Sequence, residues 1–423
     1  MDRVATSNAG RRISVPETPG NPDLLAVIGE EIGRSGPIPF ARFMELALYH
    51  PRFGYYMRLD EKADAESGKK APIGEDRIGW SGDYYTSSDV HPILAESLAK
   101  QMAQMDDLLG RPSSFVVVEM GAGKGQLARD ILAACQRRAD SLFERLRYVI
   151  IERSPAMRQS QQVYLAQWLG DSSHVVWTNT VAELGANTVV GVMLSNELVD
   201  AFPVHRLRVN DGQPREIYVG FDGYRFSEEL RPLSSELEAH LHRLSTMGVS
   251  LREGASMEIN LQAVTWMTEV SAALRRGFVM TIDYGHTAQD LYAPARHSGT
   301  LLCYYHHLAS DDPYQRVGLQ DMTAHVDFSV LAAVGEENDL HVTGYTNQMS
   351  FLIGLGAEAA VEQLEPGSRD FQGVVQLLRP DGMGSTFKVL IQHKGIPTPE
   401  LDGLKYKPFF GSALGAPAKG VNR

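Results

Sequence analysis

The feature that most constrains the fold is an apolar run that ends in a glycine-rich turn. Residues 116–125 read VVVEMGAGKG, in which Glu119 precedes Gly121, Gly123 and Gly125, and a helical pattern follows at once. Glycine lets the backbone turn sharply and approach a ligand closely because it has no Cβ. A buried strand that leads through such a turn into a helix is the arrangement with which α/β proteins bind nucleotide cofactors.

The spacing of the turn separates it from two common phosphate-binding motifs. The dinucleotide fingerprint G-x-G-x-x-G spaces its glycines differently, and no acidic residue opens it. A Walker A loop requires Ser or Thr after its lysine, whereas Gly125 follows Lys124. The pattern E-x-G-x-G-x-G instead resembles motif I of methyltransferases that use S-adenosylmethionine (SAM), in which the carboxylate lies near the cationic methionine moiety.

A second acidic residue closes the next predicted strand. Tyr148–Ile151 is apolar and β-favouring, and Glu152 follows it. An acid at this position of a nucleotide-binding unit accepts hydrogen bonds from the ribose hydroxyls, although it would also suit a strand end that faces solvent. Because the carboxyl ends of parallel strands meet at one sheet edge, we predict that Glu119, Glu152 and the three glycines bind the cofactor.

Strand and helix patterns alternate through the middle of the chain, which predicts a parallel, doubly wound α/β sheet. A further strand at His341–Tyr345 would form an antiparallel final hairpin with the last of the main strands. The main predicted strands are Phe115–Glu119, Tyr148–Glu152, His174–Trp177, Val189–Leu194, Gly277–Asp283 and Phe387–Gln392.

The remaining segments extend this core. Period-2 segments and Gly/Asp turns predict a hairpin insertion, and a long polar segment is expected to be a lid or a partner surface. Asn21-Pro22 predicts a helix start, and one continuous helix is predicted at 89–109. The predicted divisions are a disordered tail at 1–20, a helical region at 21–110 with an exposed loop at 59–80, a core at 111–395 with the insertion at 204–260 and the lid or partner segment at 286–328, and a C-terminal tail at 396–423.

Composition excludes several classes of protein. A net charge of −12 argues against a general nucleic-acid binder, which needs clustered Lys and Arg, and it suits a cationic protein segment as partner. No apolar run approaches the ~18 residues of a membrane span, and no secretory signal is evident. The only cysteines, Cys135 and Cys303, predict a reducing compartment without a disulfide scaffold.

The candidate catalytic residues follow the fourth predicted strand, where residues 194–205 read LSNELVDAFPVH. Asn196 and Glu197 should lie at the same sheet edge as the cofactor residues. A carboxylate there can orient an acceptor guanidinium and ease its later loss of a proton, with Asn196 as a positioning amide. The same residue types also suit a helix start, with Asn196 as N-cap and Glu197 in the first turn. Residue types alone leave both interpretations open.

Two other kinds of site are disfavoured. His306, His307, His325 and Asp327 lack the spacing of a zinc site and no cysteine cluster accompanies them, so no metal is predicted. His325 and Asp327 would share a strand face, which favours a hydrogen-bonded structural pair. Serine hydrolase chemistry is also disfavoured because the chain has no G-x-S-x-G elbow.

Six segments together resemble the MidA-type family of SAM-dependent methyltransferases, which includes the mitochondrial arginine methyltransferase that acts in respiratory complex I assembly. The resemblance runs from about Pro37 to Lys394. The segments are PFARFMELALYHPRFGYY (39–56), GDYYTSSDVHPIL (82–94), VVEMGAGKGQLARDIL (117–132), SNELVDAFPVHR (195–206), TIDYGH (281–286) and LQDMTAHVDFSVL (319–331).

The resemblance implies a class I methyltransferase fold with a seven-stranded, mostly parallel sheet, and SAM as the cofactor. Glu197 matches the acidic residue that follows the fourth strand in this family, which supports its catalytic interpretation. For the mitochondrial relative, the resemblance implies ω-nitrogen methylation of an arginine on a complex I subunit. The expected partner is therefore a protein substrate, with a complex I subunit as the candidate. The N-terminus lacks an Arg-rich, acid-poor presequence, which favours a cytoplasmic bacterial member over one of the mitochondrial matrix.

Two other functions stay open on sequence grounds. The fold does not decide the acceptor, so a small-molecule methyltransferase is the first alternative. A scaffold for assembly that binds SAM for stability is the second. A nicotinamide-dependent dehydrogenase is disfavoured by the glycine spacing.

Overall fold

The computed structural model describes residues 19–58, 77, 79, 83, 86–138, 141–170, 174–407 and 414. The predicted N-terminal tail lies outside these ranges apart from its last two residues. The predicted loop at 59–80 is described only at Arg77 and Gly79.

Within the described ranges the strands fall into three sheets, of eight, five and three strands. In chain order they are β1 (Ile38–Pro39), β2 (Phe115–Met120), β3 (Leu146–Ile151), β4 (Val175–Thr178), β5 (Val189–Asn196), β6 (His205–Asn210), β7 (Gln213–Phe221), β8 (Phe226–Arg231), β9 (Ser256–Ile259), β10 (Leu274–His286), β11 (Leu302–Tyr305), β12 (Leu308–Ser310), β13 (Asp321–Thr323), β14 (Val326–Asp327), β15 (His341–Asn347) and β16 (Phe387–Lys394).

The helices flank these sheets. In chain order they are α1 (Pro22–Ser35), α2 (Phe40–Tyr49), α3 (Ser87–Val90), α4 (Ile93–Leu108), α5 (Gln126–Arg137), α6 (Leu142–Arg145), α7 (Pro155–Tyr164), α8 (Ser235–Thr246), α9 (Leu261–Ala273), α10 (Ala288–Leu291), α11 (Phe328–Glu337), α12 (Gln348–Gly354), α13 (Ala357–Glu362), α14 (Arg369–Leu378) and α15 (Met383–Thr386).

The largest sheet has the order β15-β16-β10-β5-β2-β3-β4. Strands β4, β3, β2, β5 and β10 pair in parallel, and β16 is antiparallel to both of its neighbours. This confirms the predicted α/β fold with a mostly parallel, class I methyltransferase-like sheet. The predicted count of seven strands is one short, because β14 pairs with the end of β10 as a two-residue eighth strand. The pairing is too short to leave a strand pattern in the sequence.

The core lies on both faces of this sheet. Alternate residues of one strand point to opposite faces, so Val117 of β2 packs in a cluster with α4 and α5, whereas Val118 packs in a second cluster with α9 and α11. Strand β5 is buried along its whole length, as expected for a central parallel strand covered by helices on both sides. The central strands are therefore buried on both faces, and the site lies at their carboxyl ends.

The region after β5 forms a second sheet with the N-terminal segment. The predicted hairpin is present as β6 and β7, and β8, β9 and β1 extend it to five antiparallel strands. A third core cluster joins α1 and α2 to residues of the 301–324 region. The N-terminal helices thus pack beside the carboxyl edge of the main sheet.

One predicted helix is broken. Residues 89–109 were expected to form a single helix, but α3 ends at Val90 and α4 begins at Ile93. The break lies at His91, whose φ of −162° and ψ of 146° are extended. Proline disfavours the helical conformation in the residue before it, and Pro92 follows. Because the helix is broken at His91, α3 lies against the start of α5, where Gln126 Nε2 donates to Ser88 O.

Candidate active site

A cavity of about 1000 Å³ lies at the carboxyl edge of the main sheet. Its lining includes the glycine turn after β2 and the residues that follow β3 and β5. Residues of α2, of the segment around α3 and of β11 and β13 cover it from the other side. Ligands of open α/β sheets bind at this edge, so the structure brings all predicted site residues except Gly125 to one wall of a cavity.

The glycine turn has a backbone conformation that residues other than glycine rarely adopt. Gly121, Gly123 and Gly125 have φ values of 73°, 51° and 89°, all in the left-handed region. A Cβ on Gly121 would lie 2.7 Å from Leu198 Cδ1, so the turn packs directly against the segment that carries Glu197. Gly125 is the N-cap of α5 and a Cβ there would meet Gln161 rather than the cavity.

Glu152 is held by a small polar network. Its Oε1 accepts a hydrogen bond from Ser154 N at 2.7 Å, and its Oε2 accepts one from Gln161 Nε2 at 2.9 Å. The same Gln161 nitrogen also donates to Gly123 O at 2.9 Å. Gln161 therefore ties the glycine turn to the acid after β3. Sequence reasoning missed this residue, since a polar position on an amphipathic helix carries no motif.

Glu119 has a different environment. It is only 2 % exposed, and its Oε2 accepts a hydrogen bond from Tyr148 OH of the neighbouring strand at 2.7 Å. Burial raises the pKa of Glu119 to about 7, although the Tyr148 bond opposes this shift. A cation bound beside Glu119 would stabilise its charged form.

We expect Glu152→Ala to weaken SAM binding without abolishing it. Two hydrogen-bond acceptors are lost from the cofactor end of the cavity, each contributing roughly 1.5–3 kcal/mol at the upper end of the range for charged groups. Titration calorimetry measures the change. Glu144→Ala is the matched control, because Glu144 is exposed in α6, before β3 begins. Equal affinities of the two variants would remove Glu152 from the cofactor site.

Glu197 lies immediately after β5 in an unusual conformation. Its φ is 52°, its N–H donates to Ile282 O of β10 at 2.9 Å, and the next short helical turn begins only at Val199. The alternative in which Glu197 sits in the first turn of a helix capped by Asn196 is therefore wrong. Non-glycine residues in the left-handed region cost conformational energy and cluster at functional sites.

The carboxylate of Glu197 is held from two sides. Its Oε1 accepts hydrogen bonds from Ser87 N at 2.9 Å and from Asn196 Nδ2 at 3.3 Å. The pKa of Glu197 is raised to about 8. Burial is the main cause, the two hydrogen bonds lower the pKa, and the charge of Asp200 contributes to raising it. Asn196 thus holds the carboxylate of Glu197 from the end of β5.

Asp283 holds the turn that carries Glu197. Its Oδ2 accepts hydrogen bonds from the backbone nitrogens of Leu198, Val199 and Asp200 at 3.2, 3.0 and 3.4 Å. Asp283 lies in the segment TIDYGH, and no role was predicted for it. An acidic residue near the end of a central strand, as at Glu197, was the pattern that could have indicated its importance.

Two further carboxylates line the cavity beyond Glu197. Asp321 Oδ1 accepts a hydrogen bond from Tyr56 OH at 2.6 Å, and Tyr284 OH donates to Asp200 Oδ2. Burial raises the pKa of Asp200 to about 6 and that of Asp321 to about 7. These residues come from four distant segments, so no local pattern in the sequence could group them.

The histidines of the 286–328 segment were the candidate metal ligands. Among the residues that the structure describes, no group of three or more His, Cys, Asp or Glu side chains could hold a metal ion. The predicted pairing of His325 with Asp327 is wrong: Asp327 Oδ1 caps α11 by accepting from Val330 N at 3.0 Å, and His325 Nδ1 is buried without a hydrogen-bond partner among the described residues.

No helix in the described part of the chain is long and apolar enough to cross a membrane.

Comparison with known proteins places the chain in a family. The family model described as "Putative S-adenosyl-L-methionine-dependent methyltransferase" matches residues 97–346. A superfamily member from Burkholderia thailandensis, solved with S-adenosyl-homocysteine bound, is 32% identical with a TM-score of 0.78, over 92% of this chain and 97% of that one.

Curated relatives match over most of their length. The mitochondrial protein arginine methyltransferase NDUFAF7 homolog of Drosophila melanogaster is 26% identical over 90% of this chain and 87% of its own. The human NDUFAF7 protein arginine methyltransferase is 24% identical over 92% of this chain and 87% of its own. The chain belongs to this family of SAM-dependent methyltransferases, and SAM is its cofactor.

Proposed function

We propose that the chain is a protein-arginine N-methyltransferase, with Glu197 as the carboxylate that orients the acceptor guanidinium. The observation that carries the proposal is the acidic lining of the cavity. The described lining contains two basic residues that are charged at neutral pH, Lys124 and Arg153, and nine acidic residues: Glu45, Asp83, Asp89, Glu119, Glu152, Glu197, Asp200, Glu269 and Asp321. Such a cavity concentrates cations and repels anionic acceptors.

Unmet hydrogen-bond acceptors support a guanidinium rather than a simple amine. Asn196 Oδ1 and Asp200 Oδ1 are buried without a hydrogen-bond partner among the described residues, and both residues line the cavity. Leaving a buried acceptor unpaired costs free energy. A guanidinium spreads five N–H donors over three nitrogens in a planar fork, so it can bond Glu197, Asn196 and Asp200 while one nitrogen faces the methyl group. An ammonium would have to do both with its single nitrogen.

The chemistry follows from these positions. SAM supplies a methyl group on a sulfonium, which becomes a thioether when the S–CH₃ bond breaks and the N–CH₃ bond forms. Glu197 binds the guanidinium, directs one nitrogen toward the methyl group and favours the resonance form with the lone pair on that nitrogen. The nitrogen then sheds one proton, which the carboxylates of this end of the cavity accept and pass to solvent.

The proposed acceptor is an arginine of a protein partner, with a respiratory complex I subunit as the candidate. The curated relatives named above are protein arginine methyltransferases, and the net charge of −12 suits a cationic partner segment. The proposed location is the bacterial cytoplasm, or the mitochondrial matrix for a eukaryotic member.

Transfer of labelled methyl from SAM to paired peptides tests the acceptor. We expect methylation of an arginine-containing segment of a complex I subunit, and loss of transfer when lysine replaces that arginine. A lysine would leave hydrogen-bond acceptors of the site unpaired. We therefore expect kcat/KM for the lysine peptide to be lower by on the order of 10⁴-fold when several bonds are lost. Equal transfer to both peptides, or transfer only to small molecules, would contradict the proposal.

A further inference from the structure

A buried ion pair links the glycine turn to α3. Lys124 Nζ lies 3.3 Å from Asp89 Oδ1, and the two side chains are only 9% and 6% exposed. Removing two charges from water is costly, and loss of one partner leaves an unpaired buried charge. The pair lies in the wall of the cavity, yet neither residue takes part in the chemistry described above.

Asp89 also determines how α3 begins. Its Oδ2 accepts hydrogen bonds from Thr86 N at 3.0 Å and from Thr86 Oγ1 at 2.9 Å, and the two residues form a capping box. The first residue of α3 is Ser87, whose N–H donates to Glu197 Oε1. The position of this donor therefore depends on the cap that Asp89 provides.

A second contact fixes α3 to the cofactor side. Gln126, the first residue of the helix after the glycine turn, donates from Nε2 to Ser88 O at 2.7 Å. Helix α3 thus has contacts with the cofactor-binding turn through Lys124 and Gln126, and a contact with the acceptor carboxylate through Ser87. No other α-helix in the described part of the chain donates a hydrogen bond to Glu197.

The charge of Asp89 also affects the pKa of Glu197. Burial is the main reason that the pKa of Glu197 is raised, and the negative charge of Asp89 raises it further. The cation of Lys124 offsets that charge. Without the cation of Lys124, the charge of Asp89 would therefore disfavour the carboxylate form of Glu197 more strongly, and the carboxylate is the form that binds a cation.

We propose that Lys124 and Asp89 are positioning residues that couple cofactor binding at the glycine turn to the placement and charge of Glu197. When the turn is fixed by the cofactor, Lys124 holds Asp89, Asp89 holds the start of α3, and Ser87 presents its N–H to Glu197. The acceptor site is then held most firmly in the SAM-bound protein. The inference rests on the proposed role of Glu197.

Hydrogen exchange tests the coupling without any acceptor. In the wild-type protein, saturating S-adenosyl-homocysteine should slow exchange in residues 86–92 as well as in α5. In Asp89→Asn, which keeps an oxygen for the Thr86 cap, α5 should still be protected but residues 86–92 should not. Equal protection of residues 86–92 in both proteins would overturn the proposal. This result does not depend on the acceptor, so it separates the proposal from the proposed function.

A double-mutant cycle tests the consequence for catalysis. Lys124→Met removes the cation that faces Asp89, so single-turnover methyl transfer should fall by about tenfold or more, and the rising limb of its pH profile should move to higher pH. Adding Asp89→Asn removes the negative charge that Lys124 no longer offsets and should restore part of the rate.

Two outcomes of the cycle would overturn the proposal. The first is a loss of SAM affinity in Lys124→Met that accounts for the whole rate loss and that Asp89→Asn does not relieve, since Lys124 would then be a direct ligand of the cofactor. The second is strict additivity of the two substitutions. If Lys124→Met does not fold, the Asp89→Asn exchange and rate measurements decide the question alone.

Discussion

Glu197→Gln is expected to lower methyl-transfer turnover by on the order of 10²-fold or more, the usual effect of removing one preorganised electrostatic group. Glutamine keeps the volume and an acceptor oxygen for Ser87 N, but it cannot supply the charge that orients a guanidinium. SAM affinity and the melting temperature should stay nearly unchanged, because the buried carboxylate is not needed for folding. Its pKa is raised by burial, so removing the charge relieves a desolvation cost.

The pH dependence of the wild-type enzyme follows from the same group. The active form is the carboxylate, and the pKa of Glu197 is about 8 in the free enzyme, so kcat/KM for the acceptor should rise with pH up to about 8. A bound guanidinium favours the carboxylate, so the rising limb of kcat should lie at lower pH. The stability contribution has the opposite sign: protonated Glu197 stabilises the fold below pH 4.5, and this is lost as pH rises through about 8.

Glu238→Gln is the matched control for the charge. Glu238 is an exposed acid of α8 outside the described lining of the cavity, so the same chemical change there should leave single-turnover rates within about twofold, as for surface substitutions. If Glu197→Gln transferred methyl at the rate of this control, Glu197 would have no part in the reaction.

Gly123→Val should abolish measurable SAM binding. Gly123 lines the cavity with a φ of 51°, a conformation that a β-branched residue adopts only as an outlier. Its carbonyl also accepts the Gln161 bond that connects the turn to Glu152. Valine would force the turn to rearrange and would place a branched side chain where the cofactor meets the backbone.

Gly212→Val separates strain from binding. Gly212 has a φ of 71° in the exposed turn between β6 and β7, and a Cβ there would meet no atom within 4 Å. Its substitution adds similar backbone strain far from the cavity. Calorimetry should show SAM binding in Gly212→Val and none in a folded Gly123→Val. Retained affinity in Gly123→Val would show that this turn is not the cofactor site.

Much of the core could be predicted because its signals are local. The run that ends in Glu119 and the glycines encodes a buried strand, a turn and a helix within a few residues, and the strand before Glu197 encodes the neighbouring part of the same wall. Both depend on apolar runs and glycine spacing, which the sequence displays directly. The break at Pro92 was also visible locally, but the helical pattern on either side outweighed it.

The acceptor end could not be predicted because its contacts are distant. Tyr56 bonds Asp321 across 265 positions of the chain, and Ser87 bonds Glu197 across 110. No spacing rule relates such segments. The left-handed conformation of Glu197 was equally hidden, since it is imposed by β10 and by Asp283, which bond the backbone on both sides of it.

The most direct test compares the methylation of cellular proteins with active and inactive enzyme. Quantitative mass spectrometry should be carried out on complex I subunits and the wider proteome from three strains, with the wild-type gene, no gene and the Glu197→Gln gene. The account predicts an arginine on one protein that carries ω-nitrogen methyl groups only with the wild-type gene. Identical arginine methylation in all three strains would contradict it.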